Sequence, residues 1–286
     1  VGVRPIEAGA SMDLSDFEPW LTRWHLEVDG APFASRWSQL LPARREGHAM
    51  MLKAHMAEQE VQGSAFLAAY GGQGAVRVFE RSADAVLMER ATGPRHLIDI
   101  VLEADEPAAL QVLCDQLAVL HASVGPFDPA PISMDLWFSA LPLTAERLGG
   151  IYAEAADLLS RLLASTDRTV PLHGDLHHGN LLDGGARGWL AIDPKGLMGD
   201  PTYDYAIMLC LNPDTPAEGP AKAVDVARRV PVVAAMAGLS APRLLAWTTC
   251  LCALYSAWFE GHEGVEPWVE LTSDLLRDFA DQMGIT

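Results

Sequence analysis

The sequence predicts an α+β chain of two lobes: a small antiparallel-sheet N-terminal lobe with one helix, and a larger, mainly helical C-terminal lobe. Three observations carry this prediction. Up to about residue 90, short apolar runs alternate with turn signals, and a single helix-like stretch lies between them. Beyond that point apolar residues recur every three or four positions over long stretches. Between the two patterns, Thr92-Gly93-Pro94 interrupts both. Residues 1–91 are therefore expected to form one lobe and residues 92–286 the other, with a hinge near 89–94.

The elements follow in order. Residues 1–12 are poorly patterned. Residues 17–24 carry Phe17, Trp20, Leu21 and Trp24 at helical spacing, with Ser15 and Asp16 as caps. Strands are expected at 26–28, before the Asp29-Gly30 turn, at 38–41, before the polar turn 44–47, and at 49–54. A helix at 58–70 stops at Gly71-Gly72. Strands at 75–79 and 85–89 complete the first lobe. In the second lobe, helices are expected at 108–121, 148–164, 203–211, 221–237, 242–259 and 268–283, with a Pro-rich loop at 212–220.

Composition excludes several function classes. The formal net charge is −18, so the clustered Lys and Arg that nucleic-acid binding requires are missing. An acidic surface attracts cationic small molecules instead. No apolar run reaches the roughly 18 residues of a membrane span, and the N-terminus lacks a basic-then-apolar signal pattern. The four cysteines, Cys114, Cys210, Cys250 and Cys252, form no CxxC pair and sit in apolar, helix-like contexts. Buried free thiols in a reducing cytoplasm are the expectation. Lysine is scarce: only Lys53, Lys195 and Lys222 occur.

The densest chemistry lies in residues 173–193, HGDLHHGNLLDGGARGWLAID. Asp175 follows the apolar run 170–172, Asn180 lies five residues on, and Asp193 thirteen beyond that, at the end of a short strand-like run. A carboxylate at 175 can accept a hydrogen bond from an attacking hydroxyl and aim it at a γ-phosphate. The carbonyl oxygen of Asn180 and the carboxylate of Asp193 are suitable Mg²⁺ ligands. His173, His177 and His178 invite a zinc reading, but Gly174 and Gly179 argue against the helix that HxxxH needs. His173 is expected to hold the loop in shape. Lys195, two residues after Asp193, is expected either to stabilise charge on a transferred phosphoryl group or to pair with Asp200 or Asp204.

HGDLHHGN followed by Ile192-Asp193-Pro194-Lys195-Gly196, and by GDPTYD at 199–204, resembles the aminoglycoside phosphotransferase family. The resemblance is to its streptomycin 6-phosphotransferase and hydroxyurea phosphotransferase branch, and it spans roughly residues 20–279. It implies a protein-kinase-like fold and a Mg²⁺-dependent kinase using ATP, with GTP left open by the absence of a GxGxxG loop at residues 30–35. By resemblance, Lys53 contacts the α- and β-phosphates and pairs with a helix Glu. Glu58 and Glu60 both begin the next helix, position 63 is Gly, and Glu60 is favoured. Residues 86–91 resemble the hinge, where backbone groups of Glu89 and Ala91 would meet adenine. Asp204 would brace the catalytic loop. For the acceptor, an aminoglycoside such as streptomycin is expected, with Asp135 beside Trp137 and Phe138, and Glu260 and Glu263 near Trp258 and Phe259, as its partners. Hydroxyurea or another small metabolite is the alternative acceptor, and a non-catalytic nucleotide-binding module the alternative of another class. The oligomeric state is not legible.

Overall fold

The computed structural model describes residues 13–35, 38–54, 58–103, 105–123, 125–211, 219–262 and 264–282. After a short 3₁₀ turn, the N-terminal lobe contains helix α1 (Glu18–Arg23), strands β1 (Glu27–Val28), β2 (Phe33–Ala34), β3 (Gln39–Arg45) and β4 (His48–Ala54), helix α2 (Glu58–Ala69), and strands β5 (Val78–Arg81) and β6 (Val86–Glu89). The strands form one antiparallel sheet in the order β1-β3-β4-β6-β5, with β2 also pairing to β3.

Strand alternation decides what each face does. On β4, Met50, Leu52 and Ala54 pack with Leu41, Ala43 and Leu87 against Phe17, Trp20 and Trp24 of the N-terminal helical segment. The period of two turns Met51 and Lys53 the other way. Met51 packs on the large core of the second lobe, and so do Phe66 and Leu67 of α2 and Tyr70 just after it. Helix α2 thus bridges the sheet and the helical lobe. It ends where expected, at Gly71 and Gly72, whose φ of 61° and 80° suit glycine.

The second lobe runs α3 (Leu97–Leu102), α4 (Glu106–His121), β7 (Ile132–Ser133), α5 (Met134–Trp137), α6 (Ala140–Leu148), α7 (Gly150–Ala164), β8 (Val170–Leu172), β9 (Leu181–Asp183), β10 (Trp189–Ala191), β11 (Leu197–Gly199), α8 (Thr202–Cys210), α9 (Ala223–Ala237), α10 (Ala241–Trp258) and α11 (Glu266–Gln282). All nine residues of α8 are buried, and α10 is buried along most of its length, so these two helices form the centre of the lobe. The second lobe departs from expectation at several points. Helices α3, α5 and α6 are additional, Gly149 at φ 63° separates α6 from α7, and β11 pairs with both β8 and β7. Most of the Pro-rich loop, residues 212–218, lies outside the described residues. Among the described residues no helix is long and apolar enough to cross a membrane.

Candidate active site

Lys53 enters the interior from β4 because of the strand's alternation. Its ammonium contacts the Glu60 carboxylate of α2 and lies 2.8 Å from Asp193 Oδ1. Lys53 and Glu60 are both buried. Burial alone would push the lysine pKa down, but the carboxylates of Asp193 and Glu60 overcome it and hold the pKa above the usual lysine value. Asp193 is the mirror case: burial raises its pKa, and Lys53, then Lys195 and His173, bring it below the usual carboxylate value. The close approach of α2 to this loop depends on Gly63, where a Cβ would stand 2.1 Å from the carbonyl oxygen of Pro194.

The catalytic-loop candidate follows β8. The Asp175 amide donates to His173 Nδ1 at 3.2 Å, so the proton sits on Nε2, which donates to the Ile192 carbonyl at 2.8 Å. Burial pushes the His173 pKa down to about 4, and the ring is neutral near pH 7. Behind the loop, Asp204 of α8 is fully buried. It accepts the amides of His173 and Gly174 at 2.8 and 2.7 Å, and its Oδ2 lies 2.8 Å from His121 Nε2. Gly174 takes φ 81°, and a Cβ there would crowd Leu197 and Lys195. The loop then turns so that Asn180 Nδ2 donates to the Asp175 carbonyl at 2.8 Å and to its Oδ2 at 3.3 Å. This leaves the Asn180 Oδ1 lone pairs for another partner.

The two loops are stitched together. Ile192 N donates to the Asn180 carbonyl at 3.0 Å, and Lys195 N to the His173 carbonyl at 2.6 Å. Between these ties Asp193 adopts φ 57°, a conformation Asp tolerates better than most side chains. Lys195 Nζ lies 2.9 Å from Asp175 Oδ2. Neither expected structural partner is free for it. Asp200 is taken by Arg243 and by Trp247 Nε1 at 3.1 Å, and Asp204 by the loop amides. Burial would lower the Lys195 pKa, but Asp175, Glu60 and Asp193 raise it above the usual lysine value.

Asn180 offers a neutral carbonyl oxygen and Asp193 a carboxylate, on two loops tied together by the Ile192 amide, an oxygen donor set of the kind Mg²⁺ takes when phosphates and water complete its shell. At the hinge, the Glu89 amide donates to the Arg77 carbonyl at 2.8 Å. That donor is spent inside the sheet and is not free for an adenine. The Glu89 carboxylate contacts Arg187 from the turn between β9 and β10, and the same guanidinium reaches the Gly72 carbonyl. Residues 30–35 hold β2 and the turn before it rather than a glycine-rich loop.

The acceptor residues are less gathered. Asp135 is exposed in the first turn of α5. Phe138 is buried in the core and offers no surface. Glu260 pairs with Arg147 Nη2 at 2.5 Å, so its charge is already answered. Glu263 lies outside the described residues. Trp137 packs edge-on against the partly exposed Trp258 and donates from Nε1 to Tyr203 Oη at 2.7 Å. Sequence reasoning did not find Arg187 or the contact made by Gly63. Arg187 carries no local signal. Gly63 carried one, a glycine one turn beyond Glu60 on the same helix face.

The family described as aminoglycoside/hydroxyurea antibiotic resistance kinase matches residues 23–263. The chain is 40% identical over 245 residues to a streptomycin 3''-kinase of Klebsiella pneumoniae, covering 84% of this chain and 91% of that one. It is 32% identical over 241 residues to a hydroxyurea phosphotransferase of Kitasatospora aureofaciens, covering 80% and 68%. A solved structure of a thermostable aminoglycoside phosphotransferase APH(4)-Ia mutant, in ternary complex with ADP and hygromycin B, superposes with a TM-score of 0.64 at 15% identity, covering 92% of this chain and 98% of that one.

Proposed function

This chain belongs to the aminoglycoside/hydroxyurea antibiotic resistance kinase family, and from that membership we propose that it moves the γ-phosphate of Mg²⁺-bound ATP to a hydroxyl of streptomycin or a closely similar aminoglycoside. The observation that carries the reaction is the stitched pair of loops bearing Asp175, Asn180 and Asp193 opposite Lys53. Asp175 orients the acceptor hydroxyl and takes its proton as the oxygen attacks the γ-phosphorus. The new P–O bond forms, the bond to the bridging oxygen breaks, and the nucleoside diphosphate leaves. Asn180 and Asp193 would hold Mg²⁺, which would supply charge neutralisation at the triphosphate. Lys53, held by Glu60, meets the phosphates, and the Glu89 carbonyl and Ala91 backbone meet the base. Catalysis rests on positioning and on preorganised charge.

Two facts support a cationic acceptor: the net charge of −18, and the 40% identity to a chain named a streptomycin 3''-kinase. The four cysteines are free and buried, in keeping with a reducing cytoplasm, where the nucleotide is also found. The test is a phosphotransfer screen with ATP and GTP against streptomycin, other aminoglycosides, hydroxyurea and amino alcohols, with the phosphorylated position read by ³¹P NMR. Streptomycin phosphate is the expected product. Transfer to hydroxyurea alone overturns the acceptor, and nucleotide binding without transfer to any acceptor overturns the kinase reaction.

A further inference from the structure

Five ionisable groups of alternating sign cross the site, Glu60, Lys53, Asp193, Lys195 and Asp175, as two contacting sets joined by the electrostatic attraction between Asp193 and Lys195. Lys53 and Asp193 touch at 2.8 Å and Lys195 and Asp175 at 2.9 Å. The loop that carries Asp175 holds no Lys or Arg between residues 173 and 180. Of its histidines, His173 is spent on Ile192, His177 Nδ1 accepts the Gly179 amide at 3.1 Å, and His178 Nε2 is buried without a hydrogen-bond partner among the described residues. The cation beside Asp175 therefore comes from the other loop, two residues past Asp193, and is fixed there by the Lys195 amide on the His173 carbonyl.

We propose that Lys195 hands its charge from Asp175 to the transferred phosphoryl group during the reaction, an assignment that rests on the phosphotransfer reading above. Before transfer, the ammonium and the Asp175 carboxylate neutralise each other. As Asp175 accepts the acceptor's proton, its negative charge disappears and the Lys195 charge is left uncompensated. At that moment negative charge moves through the transferring phosphoryl oxygens toward the leaving diphosphate. A cation anchored to the metal-binding loop then favours the transition state over the ground state, because its ground-state partner vanishes as its transition-state partner appears. No oxidant or further reactant is involved: one O–H and one P–O bond break, and one O–H and one P–O bond form.

The experiment compares the wild type with Lys195→Met, Asp175→Asn and the double variant in full-length protein. It measures kcat with streptomycin, ATP affinity by direct binding, and melting temperature. Lys195→Met is expected to lose about 10²–10³-fold in kcat, with ATP affinity within about threefold of wild type and an intact melting transition. The charge handover also requires Lys195→Met to cost about tenfold or more in the Asp175→Asn background, because the phosphoryl group still needs the cation. Three results overturn the assignment: kcat of Lys195→Met within about threefold of wild type, a loss matched by equal losses in ATP affinity and fold, or a silent substitution in the Asp175→Asn background. A wild type that transfers to no acceptor overturns the underlying reaction instead.

Discussion

Gly63 faces Pro194 so closely that a methyl group on its Cα would stand 2.1 Å from the proline's carbonyl oxygen. The helix bearing Glu60 and the loop bearing Asp193 are thus spaced by the absence of a side chain. Backbone cannot yield as a flexible side chain can, so Gly63→Ala is expected to push α2 outward. Overpacking of this kind costs about 1–3 kcal/mol. The shift should also stretch the Lys53–Glu60 and Lys53–Asp193 contacts. Denaturant unfolding and an ATP titration check this, and a variant with wild-type stability and ATP affinity would contradict it.

Asp175→Ala is expected to leave the fold intact and remove most turnover. The side chain is partly exposed, with Lys195 and Asn180 as its side-chain partners. Removing a positioned general base costs about 10²–10⁴-fold. Circular dichroism and steady-state rates with streptomycin read the two halves of this expectation, and activity near that of wild type would remove Asp175 from its role.

Asp193→Asn should weaken nucleotide binding in a Mg²⁺-dependent manner. The substitution keeps shape but removes the charge facing Lys53 and the proposed Mg²⁺. ATP binding titrated at several Mg²⁺ concentrations should show a higher Mg²⁺ requirement. An unchanged titration would place the metal elsewhere.

The neutral, buried His173 predicts an acid-side loss of stability. Its pKa is about 4 in the folded chain, against about 6.5 when unfolded. The unfolded chain therefore binds the extra proton first, and stability falls as pH drops from about 6.5 toward 4. The full effect is on the order of 3 kcal/mol, and part of it should be visible between pH 7 and 5, before most carboxylates titrate. Denaturant melts across that range test it, and a flat profile would mean the ring is protonated in the folded state.

The turn from Asp175 to Asn180 was legible because its logic is local. Asp175 and Asn180 are five residues apart, and one turn brings the amide of one onto the other's carboxylate. Lys53 was legible as the lone lysine of an apolar strand, and the strand's period of two points it inward. The partner of Lys195 was not, because it depends on how two loops are sewn together, and Asp200, Asp204 and Asp175 look alike in the sequence. Glu260 read as an open carboxylate because Arg147, which neutralises it, lies 113 residues away. Helices α3 and α5 are too short, at six and four residues, to establish a period.

Arg187 gives the nucleotide cleft one fastened corner. Its guanidinium joins the Glu89 carboxylate to the Gly72 carbonyl, while the Gly93 amide is tied to the Asp183 carbonyl at 2.8 Å nearby. The Arg187 contacts join the two lobes at the hinge end. A mouth sewn at one corner gapes only at the other, so the aperture is set at the phosphate rim, where Lys53 meets Asp193. On the proposed function, nucleotide and product diphosphate would pass through that rim, beside the Lys53–Asp193 pair.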